Sequence, residues 1–202
     1  MGFNRLLFLM WAATLLAGGC SVTRVTQPVP AELYANDVDA QLEFWHTLAN
    51  QPLTSNDEAF HGLLLYLDGE DPAKNYTERV EILKLRKMLP SGFKGVADDA
   101  VSRGDLAVAI VRTLDIKGGL TMRVFGPSPR YAVRELTYQA VYPPSSPNQT
   151  FSGAEFVGII GRVEDYQRGN PADVPAEVLP SEMERSIPEE KGDLGAEGGV
   201  AP

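Results

Sequence analysis

Three stretches of this chain repeat one helix-starting pattern: "SNDEAFHGLLLYL" from Ser55, "SRGDLAVAIVRTL" from Ser102 and "SGAEFVGIIGRV" from Ser152. In each, a Ser is followed three residues later by an acid: Glu58, Asp105 and Glu155. That is the form of a capping box, in which the hydroxyl accepts an early backbone N–H and the acid reaches back to the cap. Asp105, one methylene shorter, reaches less well than Glu. Apolar residues then fall at helical spacing: Phe60, Leu63, Leu64 and Leu67; Leu106, Ala109, Ile110 and Leu114; Phe156, Ile159, Ile160 and Val163. The caps stand 47 and 50 residues apart. Near-equal spacing of three capped helices marks an internal repeat.

Each capped helix has a helix-like segment upstream. Asn36 onward offers Val38, Leu42, Trp45 and Leu48; Tyr76 onward offers Val80, Ile82, Leu83 and Leu89; Arg130 onward offers Tyr131, Val133, Leu136 and Ala140. Turn residues separate the two helices of a unit, as in Gln51-Pro52, "PSGFKGVADDA" from Pro90 and "PPSSPNQT" from Pro143. The predicted fold is mostly α: three helix-loop-helix units over about 36–69, 76–116 and 130–166. No stretch alternates well enough for a long strand, although Leu120 to Phe125 would extend briefly.

The unit resembles the S-layer homology module, whose second helix opens on a Thr-Arg-Ala-Glu-Phe-like motif. "FSGAEFVGIIGRV" and "VSRGDLAVAIVRTL" are most similar to it, and "LTSNDEAFHGLL" is the most diverged. The loops "GFKGVADDAVSR" and "PPSSPNQTFSG" fit the family's connection. The resemblance covers residues 36–166 and implies a pseudo-threefold arrangement of modules that hold proteins on cell-wall polymers. The family's motif Arg helps bind an anionic wall polysaccharide. Only Arg103 matches it here; Asn56 and Gly153 stand at the corresponding places.

Ahead of the repeats, Arg5 precedes the uncharged apolar run Leu6 to Ala17. A bilayer-spanning helix needs roughly 20 apolar residues, so residues 1–19 read as a signal peptide. Ala17-Gly18-Gly19-Cys20 looks like a bacterial lipobox, with cleavage before Cys20 and lipidation of its thiol. Ala17 and Gly19 also suit the general signal peptidase, which would leave a free thiol. A lone exposed thiol in an oxidising compartment is a liability, which favours the anchor. Residues 20–35 then read as a polar spacer. Residues 167–202, rich in Pro, Gly and Glu and without an aromatic after Tyr166, read as a disordered acidic tail.

The net charge of −9 argues against nucleic acid or an anionic lipid surface as main partner. No P-loop, Gly-x-Ser-x-Gly or dinucleotide fingerprint occurs. His46 and His61 lack ligand spacing, so packing or surface roles are expected, with no metal and no cofactor. "DGEDPAKN" from Asp68 lacks calcium-loop spacing and reads as a solvated turn. Arg112, Lys117, Arg123, Arg130 and Arg134 cluster between the second and third units. They form either a solvated face or a cationic groove for an acidic polymer, with Arg103, Arg130 and Arg134 as binding residues and Tyr131, Tyr138 and Tyr142 as stacking surfaces.

The expected function is a non-catalytic, lipid-anchored envelope protein, held on a membrane through Cys20, that tethers to a wall polysaccharide or surface-layer protein. The competing reading is an envelope scaffold that binds another protein through a helical face. A hydrolase would need a nucleophile or paired carboxylates in one pocket, and nothing in the sequence places them there.

Overall fold

The computed structural model describes residues 23–169; the apolar leader, Cys20 and residues 170–202 lie outside the described residues. A 3-10 turn at Ala31–Tyr34 precedes α1 (Val38–Ala49), α2 (Asn56–Asp68) and α3 (Tyr76–Leu85). Then come α4 (Arg103–Thr113), α5 (Leu120–Phe125), α6 (Pro129–Tyr138) and α7 (Gly153–Gly169). Among the described residues, extended pairing is confined to isolated bridges, so the fold is mostly α.

The helices begin where local chemistry satisfies their first N–H groups. Ser55 Oγ accepts from Glu58 N–H at 3.2 Å, and the Glu58 carboxylate takes the Ser55 N–H at 2.7 Å. Ser152 and Glu155 exchange the same two bonds at 3.3 and 2.9 Å. At α4, Ser102 accepts from Asp105 N–H at 3.0 Å, but its hydroxyl donates to the Asp105 carboxylate at 2.7 Å. The shorter acid stops at the side chain. Asp37 and Asn75 cap α1 and α3, and Pro129 opens α6. Gly69 ends α2 in the left-handed region, at φ +77°, which a residue without Cβ adopts freely.

A cap satisfies only part of the need, because an α-helix leaves four N–H groups without internal acceptors. Here the loops before α2, α4 and α7 accept some of the rest from one another. Asn56 N–H donates to Asp99 O (2.8 Å), Arg103 N–H to Gln149 O (2.7 Å) and Gly153 N–H to Gln51 O (3.0 Å). The next N–H follows in two of them, Asp57 to Ala97 O (3.2 Å) and Gly104 to Pro147 O (2.8 Å). Val101 N–H to Thr54 O and Thr54 N–H to Phe151 O, both 2.9 Å, add further links. Each loop is thus bonded to both others.

The helices pack in pairs: α1 against α7, α3 against α2, and α6 against α4. Each of α1, α3 and α6 therefore lies beside a capped helix other than the one that follows it in the chain. Leu63, Leu64, Leu83, Leu106, Ile110, Leu136 and Phe156 are fully or almost fully buried in one shared core. Removing an apolar side chain from water contributes roughly 1.5–3 kcal/mol each, as an upper bound.

Four expectations change. Residues 23–35 are not a free spacer: Val25 and Val29 are buried, Val25 N–H donates to Asp98 O (2.8 Å), and Val29 N–H donates to the Glu58 carboxylate (2.8 Å). Leu120 to Phe125 is helical rather than extended. α7 continues through residues 167–169. In α1, Val38 and Leu42 are exposed, while Phe44 and Leu48 are buried. That stripe is rotated because α1 rests on both α7 and the 3-10 turn, where Tyr34 meets Phe44 edge-on at 5.6 Å.

At Gly153, the first residue of α7, a Cβ would collide with the Leu48 carbonyl of α1, so the position takes no side chain. Gly153→Ala is expected to destabilise the fold by about 2–3 kcal/mol or more, because the obstacle is backbone. Urea unfolding of the variant beside the unsubstituted chain measures this.

Candidate functional site

The three predicted polymer-binding arginines divide into one buried side chain and two exposed ones. Arg103, at the start of α4, is 6% exposed. Its Nε donates to Thr150 O (3.1 Å) and its Nη2 to the Glu155 carboxylate (2.7 Å), and its guanidinium lies 4.7 Å over the Phe151 ring. The Glu155 carboxyl is held below its usual range, first by the Ser152 backbone N–H and then, against some burial, by Arg103. Arg103 thus joins α4 to the loop before α7 and presents little charge to solvent. Asn56 plays a similar part at the start of α2, where its amide donates to Val96 O (2.9 Å).

Arg130 and Arg134 lie on α6, and both are exposed. The helix buries Ala132, Val133 and Leu136 toward the core. Tyr131, Arg134, Glu135 and Tyr138 follow at helical spacing and share another face. With Thr121 and Met122 they line a groove of about 470 Å³ between α5 and α6. Glu135 accepts from the Gln139 amide (3.2 Å) rather than from Arg134. Among the described residues, Arg130 and Arg134 have no carboxylate partner, unlike Arg79, Arg86, Arg103 and Arg168. Arg134 therefore stands between two tyrosines with its guanidinium donors uncommitted to acid. Tyr142, the third predicted stacking residue, is buried against Phe151 and takes no part.

A second polar constellation, little signalled by residue spacing, lies under the 3-10 turn. His61 and Asp71 are fully buried and joined by Nδ1 and Oδ2 at 2.6 Å. The Arg79 Nε also donates to Asp71, and its Nη1 donates to Asp57 at 2.6 Å. Tyr34 covers this guanidinium at 4.8 Å and stacks near the His61 ring at 4.5 Å. Burial by itself would raise the Asp71 pKa. The bonds from His61, Arg79 and the Ala73 N–H outweigh it and hold the carboxyl below its ordinary value. Beyond the Nδ1 contact, the His61 Nε2 is buried without a hydrogen-bond partner among the described residues. Tyr34, Asp57, Tyr76 and Arg79 line a cleft of about 480 Å³ above the cluster.

This corrects the reading of "DGEDPAKN" as a solvated turn. Asp71 bends inward, its carboxylate accepting the Ala73 N–H at 3.0 Å, to neutralise a buried Arg. The available signal was Arg79, which shares the buried stripe of α3 with Leu83. His61 faces the core, and His46 is on the surface. Among the described residues, no three His, Cys, Asp or Glu side chains gather as a metal site.

Asp71→Ala would leave Arg79 and His61 buried without their shared anion, an expected loss of about 3–5 kcal/mol. The pH dependence follows from the lowered folded pKa. Stability from Asp71 is fully present above the unfolded carboxyl pKa near 4 and is lost as pH falls through the folded value. Chemical unfolding between pH 7 and about pH 3 should show a smaller acid loss in Asp71→Asn than in the parent.

Beyond this geometry, comparison offers no guide: no family model, curated protein or solved structure matches the chain.

Proposed function

We propose that this chain is a non-catalytic, lipid-anchored protein of the bacterial cell envelope that holds an acidic wall polymer in the α5–α6 groove. The domain is read as three S-layer-homology-like units in pseudo-threefold order. Two features support that order. The first N–H of each capped helix donates to the loop of another unit. Each upstream helix packs on the capped helix of the unit before it in a closed cycle, α3 on α2, α6 on α4 and α1 on α7.

The observation that carries the binding role is Arg134 set between Tyr131 and Tyr138 in an open groove. A guanidinium grips a carboxylate or phosphate through parallel N–H donors. Tyrosine rings offer apolar faces to sugar C–H groups and a hydroxyl to their polar edges. Arg130, one turn away, extends the positive field. Arg103 leaves the binding set, since Glu155 and Thr150 already occupy it. The absence of catalysis is favoured by the placement of the His61–Asp71 pair, whose imidazole is sealed from solvent.

Two measurements test this. The chain from Ser21 to Pro202 is sedimented with purified wall material from the native host. Pelleting should fall as salt rises and weaken about tenfold or more in Arg134→Ala and Tyr138→Ala. Arg103→Ala should instead lower thermal stability. Absence of pelleting by the unsubstituted chain would retire the polymer role. For the anchor, Cys20→Ala should remove the mass of the acyl group from the protein recovered from cells; an unmodified Cys20 in the parent would refute lipidation.

A further inference from the structure

Helix α5 is built the wrong way round for a helix that serves only the core. Of its six residues, Met122 is buried, while Leu120, Val124 and Phe125 are 79%, 64% and 83% exposed. Leu120 and Val124 stand one turn apart and so share a side; Phe125, the last residue of the helix, lies about 100° further round. None of the three lines the α5–α6 groove, which takes Thr121 and Met122 from this helix. Leu120 and Val124 form an apolar ridge on its outer side, and Phe125 adds a third exposed apolar side chain at the helix end.

Cations lie around this helix. Arg112, Lys117 and Arg123, with Asp115 and Met122, line a smaller hollow of about 380 Å³, and Arg134 lines the α5–α6 groove. Lys117 is paired with Asp115, but Arg112 and Arg123 have no carboxylate partner among the described residues. Between residues 112 and 138 there are five cations against the two acids Asp115 and Glu135, in a chain whose net charge is −9. A Debye length of about 8–10 Å means that a surface touching the ridge senses this local excess, not the distant acids.

We infer that the outer edge of α5 docks on an anionic bilayer, with Leu120, Val124 and Phe125 in the headgroup boundary and Arg112 and Arg123 against lipid phosphates. An apolar edge flanked by basic residues is the pattern of a helix that lies in a membrane interface. A protein partner fits less well: a stable interface covers roughly 800 Å² on each side, more than three side chains present. No helix among the described residues is long and apolar enough to cross a membrane, so the contact is superficial. It supplements any acyl anchor and sets which face of the domain meets the membrane.

The test uses the unacylated chain from Ser21 to Pro202, which contains every described residue. It is floated with vesicles of phosphatidylethanolamine and phosphatidylglycerol, and separately with phosphatidylcholine alone. Flotation with the anionic vesicles only, declining with salt, is expected. The combined Leu120→Ser, Val124→Ser and Phe125→Ser variant should bind at least about tenfold more weakly with a nearly unchanged Tm, because these side chains are mostly exposed. Arg112→Gln with Arg123→Gln should weaken binding and reduce its salt sensitivity. No flotation with anionic vesicles, or flotation of the triple variant equal to that of the parent, would overturn the inference. Wall pelleting is read separately: the triple variant should pellet as the parent does, and failure of the parent to pellet would end the polymer role alone.

Discussion

Everything in this domain depends on what happens to the first backbone N–H groups of three helices. Each such group, if buried without an acceptor, would cost about 1–3 kcal/mol. A serine cap takes one donor per helix, and the neighbouring loop's carbonyls take others. Because those carbonyls precede the next capped helix, satisfying one helix positions another. The apolar faces of α2, α4 and α7 are brought together by this constraint, and the upstream helices fill the spaces left around them. The hydrophobic core provides most of the driving force, while the loop bonds decide which arrangement of helices it holds.

This explains the pattern of what could be read from the sequence. Helix starts are written locally: Ser and an acid three residues on are enough to place the beginnings of α2, α4 and α7. The partners of those starts are not local. Arg103 looks like a free motif arginine until Thr150, Phe151 and Glu155, about fifty residues away, are seen to surround it. Gly153 looks like a lost arginine until the Leu48 carbonyl is seen against it. The α5–α6 groove was half legible. Spacing put Tyr131, Arg134 and Tyr138 on one stretch of helix, but only the fold shows α5 beside them.

The buried His61–Asp71–Arg79–Asp57 cluster illustrates a different limit. A charged residue in an apolar stripe is visible in sequence, yet the anion that neutralises it can come from any loop. Here it comes from eight residues upstream, through a turn stabilised by its own carboxylate. Such a cluster adds little net stability compared with a well-packed apolar substitute, but it tolerates few arrangements of its members. It fixes the 3-10 turn, α2 and α3 relative to one another, which aligns the segment before α1 with the rest of the domain.

The pairing of α1 with α7 also bears on how the protein is made. Synthesis runs from the first residue to the last, so α1 leaves the ribosome more than a hundred residues ahead of the helix that covers it. Until then Phe44 and Leu48 lack part of their final surroundings, whereas α2 and α3, or α4 and α6, can meet as neighbours along the chain. Closing so long a loop comes late, since its entropy must be met before the contact gives any return. The α1–α7 contact thus forms only when the last described helix arrives, and α1 is the part most in need of shielding while the nascent chain waits.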